Sequence, residues 1–160
     1  MLNIVTNKNF PFTSATLFEV QRISSIAGAS LPHIVREDTT VGGYRLRKGA
    51  IVVANIRFLH MDERYWKKPD EFNPERWLDP TDPSQIIQHA NFAPFSIGKR
   101  RCLGENLAKA EYSVFAITLL RNFTFRMEDP SNPPMLKGFG LIYSPYPFKV
   151  LIESRTHSSS

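Results

Sequence analysis

Two stretches of the chain place apolar residues at helical spacing. In the first, Leu17 and Val20 share a face with Ser24, and Thr13 or Ser14 is placed to cap a helix running to Ser24. Glu19 and Arg22 lie three apart on it, the spacing of a side-chain pair on one helix face. In the second, Leu107, Ala110, Val114 and Ile117 form a continuous stripe, which predicts a helix from Gly104 or Glu105 to Arg121. Glu105 in its first turn and Arg121 in its last both suit the helix dipole. Between these stretches the pattern shortens. Gly42-Gly43 and Lys48-Gly49 read as turns, flanking short strands at Tyr44–Leu46 and 50–54, with a short helix over 57–61. Residues 123–127, and the alternating Phe148, Val150 and Ile152, predict two further strands.

Residues 62–83 follow no period. Pro69, Pro74, Pro80 and Pro83 remove donors and fix φ, yet Trp66, Phe72 and Trp77 recur among them. Proline with recurrent large aromatics predicts an ordered coil wrapped against the rest of the fold.

Composition changes this picture little. The chain has 160 residues, the size of one domain, and is 42% hydrophobic, enough for a core. Its formal charge of +5 is common among soluble proteins and points to no nucleic-acid partner. No run approaches the roughly 18 apolar residues that a membrane-spanning helix needs. One cysteine excludes an internal disulfide and a Cys-rich zinc site.

That cysteine lies in Phe95-Ser96-Ile97-Gly98-Lys99-Arg100-Arg101-Cys102-Leu103-Gly104. Glycines bracket it, three cations precede it and a helix follows. Positive surroundings of this kind suit a thiolate, and a guanidinium suits an acidic ligand edge. From chemistry alone three roles of Cys102 stay comparable: a ligand of heme or another metal, a reactive thiol, and a plain core cysteine.

The segment resembles the heme-binding signature of the cytochrome P-450 superfamily at every fixed position: Phe95, Gly98, Arg100, Cys102 and Gly104. Glu19-Val20-Gln21-Arg22 is similar to that family's glutamate–arginine helix, and Pro74-Glu75-Arg76-Trp77 to its meander motif. The resemblance runs from about residue 11 to 154 of a single domain over 1–160, with 156–160 a frayed tail, and is nearest the animal microsomal branch. It implies a mainly α fold with small β-sheets (α+β), the C-terminal heme-ligand portion of the P-450 fold.

The resemblance also implies roles. Cys102 would be the proximal ligand of heme b, with Arg100 and His33 on its propionates, Phe95 beside the sulfur, and Gly98 and Gly104 allowing close approach. Glu19, Arg22 and Arg76 would form an ionic network that locks the coil. Ala27, Leu31, Ile34 and Phe139 would border an apolar substrate. Lys99, Arg101 and Lys109 would steer an acidic electron donor, a flavoprotein reductase drawing on NADPH or cytochrome b5. The activity implied is monooxygenation: one atom of dioxygen enters an apolar organic substrate and the other leaves as water. The location implied is the cytoplasmic face of the endoplasmic reticulum membrane, or the cytoplasm for a chain without the anchor.

The match covers only part of the family's fold. The membrane anchor and the long central helix that delivers protons to bound oxygen have no counterpart in the sequence. Two alternatives therefore stand beside the monooxygenase: a truncated heme-binding or partner-binding module without turnover, and a nonfunctional fragment.

Overall fold

Pro11 opens the first helix, α1 (Pro11–Ser24), because a missing N–H is no loss at the first helical position. The helix thus starts ahead of Thr13 and Ser14. Phe10 takes the N-cap place, and no side chain caps the end. Ser25, in the left-handed region at φ 41°, terminates it and donates its N–H to the Gln21 carbonyl. A computed structural model describes residues 10–139 and 142–155. The tail at 156–160 lies outside the described residues, as do the side chains of Leu136–Phe139.

Short strands follow. β1 (His33–Ile34) pairs antiparallel with β4 (Ile51–Val52), and β2 (Thr39–Val41) with β3 (Tyr44–Leu46). Gly42 and Gly43 both have positive φ (56° and 85°), the conformation a two-residue hairpin turn requires. The strand expected over 50–54 is only Ile51–Val52, as short as its partner. α2 (Ile56–Met61) starts at Asn55, whose side chain accepts the Phe58 N–H.

The proline-rich coil is ordered, as its aromatics imply. A 3₁₀ turn at Pro74–Trp77, capped by Asn73, packs against α1. Trp66 and Trp77 are 1% and 0% exposed and form the core with Ala15 and Phe18. Trp77 stacks on Phe18, Trp66 and Phe92 at centroid distances of 5.3, 5.4 and 4.6 Å. Aromatic area replaces regular backbone pairing here: each such ring costs about 3–5 kcal/mol to truncate.

α3 (Glu105–Asn122) carries the second helical pattern and leads into β5 (Phe123–Met127). β5 pairs antiparallel with β8 (Val150–Ser154), and β6 (Leu136–Phe139) with β7 (Ile142–Pro145). The β6–β7 hairpin is tied back by a bridge between Ala27 and Ile142 and by the Tyr143 N–H on the Ile26 carbonyl. The architecture is a small helix-and-strand (α+β) fold of three helices and four two-stranded sheets among the described residues.

The apolar stripe of α3 is not core. Leu107 and Val114 are 65% and 51% exposed, and within the helix only Ser113 is fully buried. The helix meets the rest of the molecule through another face, where Tyr112 packs on the aromatic core. Periodicity identifies an apolar face but not the surface that covers it.

Candidate functional site

Glu19 accepts five hydrogen bonds through its carboxylate. It sits on the buried face of α1 at 0% exposure. Its Oε1 accepts from Arg22 Nη2 (2.8 Å), Arg76 Nε (3.0 Å) and the Asn73 N–H (3.0 Å). Its Oε2 accepts from Arg22 Nε and Trp77 Nε1, each at 2.9 Å. Burial alone would raise its pKa, but the bonds from Arg22, Asn73 and Trp77 outweigh this and hold it below the usual carboxylate value. Arg22, also 0% exposed, donates further to the carbonyls of His60 and Pro69 (both 2.8 Å). Arg76 reaches those of Lys67 (2.9 Å) and Glu71 (3.2 Å). One carboxylate thereby orders two guanidiniums, which in turn fix the carbonyls of a coil lacking regular structure of its own. A buried charge satisfied by five donors is stable in place and costly to break.

The cysteine loop lies beyond this network. The Cys102 N–H donates to the Phe95 carbonyl at 2.8 Å and closes the loop. Gly98 has φ +74°, a left-handed conformation that opens a 3₁₀ turn over Gly98–Arg100. Ser96 takes φ +63° without being glycine, a strained conformation that the sequence does not announce. Gly104 precedes α3; a Cβ there would meet Cys102 Sγ at 3.9 Å. Cys102, Arg100 and Arg101 are exposed. Lys109 is engaged elsewhere, with Glu105 (2.6 Å) and over the Phe95 ring (5.7 Å).

Cys102 opens onto a cavity of about 1080 Å³ between α1, α3 and the loop. Its walls are largely apolar, including Leu17, Ile26 and Phe115, and Arg100 and His33 also line it. One thiol, apolar walls and cations in the same hollow fit one face of a flat apolar macrocycle with acidic edges. Ala27 and Leu31 line the same space. Ile34 does not, since successive strand residues alternate faces and His33 takes the cavity side. Phe139 is in β6, with its side chain outside the described residues. Glu19, Arg22 and Arg76 stand apart, behind α1.

Sequence reasoning passes over three polar groups near the cavity. The Gln21 amide and Tyr112 hydroxyl are buried without a well-formed hydrogen bond. Burial pushes the Tyr112 hydroxyl up to about 12 against a weaker pull from Gln21. His60 is 0% exposed and fully hydrogen-bonded. No local signal separates it from His89, which stacks on Trp66 and Trp77 instead.

A model of the cytochrome P450 family matches residues 4–152. The chain is 40% identical over 154 residues to cytochrome P450 2U1 of Rattus norvegicus, covering 96% of this chain and 29% of that protein. It is 41% identical over 140 residues to cytochrome P450 2J2 of Homo sapiens, covering 86% and 27%. Steroid 17-alpha-hydroxylase/17,20 lyase of Ictalurus punctatus is 38% identical over 149 residues, covering 92% and 29%. The chain thus spans less than a third of the length of these relatives.

That span corrects the expectation of monooxygenation by this chain. It includes 29% of the first relative. The alternative, a module without turnover, accounts better for what the chain contains. No helix among the described residues is long and apolar enough to cross a membrane.

Proposed function

This chain belongs to the cytochrome P450 family, and from that premise we propose that it is a heme-thiolate module, the cysteine-bearing side of a P450, without turnover of its own. The observation that supports this reading best is the single thiol, Cys102, in one apolar hollow with Arg100 and His33. Cys102 would ligate the iron of heme b, and Arg100 and His33 would pair with its propionates. Phe95 would pack beside the sulfur and keep water from it, while Gly98 and Gly104 keep the backbone close. Bound heme supplies an electron-rich iron centre suited to dioxygen chemistry. Ala27 and Leu31, which line the hollow, and Phe139 of β6 would border an apolar ligand, whereas Ile34, facing away, would not. Exposed Lys99 and Arg101 suit an acidic redox partner, a flavoprotein NADPH reductase or cytochrome b5, at the endoplasmic reticulum membrane.

Titration of the chain with hemin, followed in the Soret band, tests the module. One equivalent should bind, and Arg100→Ala should weaken binding about tenfold through loss of a charge-assisted bond. Cys102→Ala should change the axial-ligand spectrum. An identical spectrum in that variant would refute the thiolate assignment. The exposed stripe of α3 favours one second reading, a fragment that does not hold its fold. It predicts neither hemin uptake nor cooperative melting.

A further inference from the structure

His60 is fully buried on α2, and its ring is bonded at both nitrogens. Nδ1 lies 3.0 Å from Ser25 Oγ, and Nε2 lies 3.1 Å from the Ala93 amide nitrogen. The directions follow from the partners. A backbone N–H only donates, so Nε2 accepts and carries no proton. Ser25 Oγ already donates to the Arg22 carbonyl at 2.7 Å, so it accepts from Nδ1–H. The ring is therefore neutral, with its proton on Nδ1.

Ala93 opens the stretch that ends at Cys102. Pro94 has no N–H. Ser96 N–H donates to the Ala93 carbonyl (3.0 Å), Arg101 N–H to that of Gly98 (3.2 Å) and Cys102 N–H to that of Phe95 (2.8 Å), all within the loop. Among the described residues, the Ala93–His60 bond is the one hydrogen bond from the backbone of 93–102 to a residue outside it. We propose that His60 is the positioning residue of the cysteine loop, tethering its entry at Ala93 to the end of α1 through Ser25. The tether also reaches the ionic network, because Arg22 donates to the His60 carbonyl and Ser25 bonds the Arg22 carbonyl.

Electrostatics agree with the geometry. Burial, then the cations Arg22 on α1 and Arg57 on α2, lower the His60 pKa from 6.5 to about 4. A protonated ring would present N–H to the Ala93 N–H and lose the tether. The role concerns the loop's geometry and stands whether or not the chain takes up heme.

Amide hydrogen exchange on the full 160-residue chain tests it, comparing wild type with His60→Leu, His60→Gln and, as a destabilised control in the same helix, Ile56→Ala. In His60→Leu, exchange at Ala93 should rise about tenfold beyond the change in α1, since a buried donor loses its acceptor. His60→Gln places an amide oxygen near the Nε2 position and should restore most of the protection. The idea fails if exchange at Ala93 moves no more than in Ile56→Ala. Should His60→Leu not fold, imidazole nitrogen chemical shifts of the wild type at neutral pH decide the matter. The Nδ1–H tautomer is expected; an Nε2–H tautomer or an imidazolium would overturn it.

Discussion

The half of the molecule around α1 and the half around α3 handle the same kinds of residue in opposite ways. Around α1 a charged trio, two tryptophans and a histidine are withdrawn from water, and their polar atoms are met by named partners. Around α3, Leu107, Val114, Phe115 and Leu120 lie half or more exposed. The first half is self-contained, since its buried charges are answered within 19–93. The second half leaves these apolar side chains open to a covering surface. The cysteine loop is at the junction, tied to the self-contained half at Ala93 and opening into the other at α3.

The sharpest way to break this comparison is Glu19→Ala. Arg22 would remain buried with its carboxylate gone, at a cost of about 3–5 kcal/mol, read by urea unfolding monitored through Trp66 and Trp77. A loss below 1 kcal/mol would show that the network is ornamental.

Acid should follow in size. The His60 pKa is depressed to about 4, so the unfolded chain takes the proton more readily. Its contribution is full above pH 6.5 and is lost as the pH falls through about 4, removing on the order of 3 kcal/mol. Glu19, also held below its ordinary value of 4.5, adds a loss in the same direction below that pH. His60→Gln should flatten the upper part of the profile. A wild-type stability that stays constant from pH 7 to 5 and then falls only below 4 would assign acid unfolding to carboxylates alone.

Trp77→Phe keeps a ring but removes the donor to Glu19 Oε2, and should cost about 1–3 kcal/mol. The smallest effect is expected in the other half. Leu107→Ser and Val114→Ser should each change stability by no more than about 0.5 kcal/mol while reducing self-association, seen by sedimentation. A loss above 2 kcal/mol from either would place the stripe in a packed interface.

The two halves were not equally legible in the sequence. The end of α1, and α3, β3 and β5, follow from period and turn signals within a residue or two, because those signals are local. The start of α1 at Pro11 was harder, since proline at the first helical position competes with the Thr13 and Ser14 cap signals. Trp66 and Trp77 identify an ordered coil, but their partners come from α1 and the loop near Phe92, which no local pattern connects. The loop around Cys102 is recognisable from its glycines, cations and flanking helix. His60 is not, because its role arises from Ser25 and Ala93, each more than 30 residues away. Periodicity gives the stripe of α3 but not its exposure, for a related reason: burial depends on what covers a face.

The most direct test of the account is a carbon monoxide difference spectrum of the hemin-loaded, reduced chain, taken beside an NADPH turnover assay with a flavoprotein reductase. The account predicts a thiolate-type spectrum that Cys102→Ala abolishes, with no product formed. A spectrum that survives the loss of Cys102, or steady NADPH-dependent oxygenation by this chain, would contradict it.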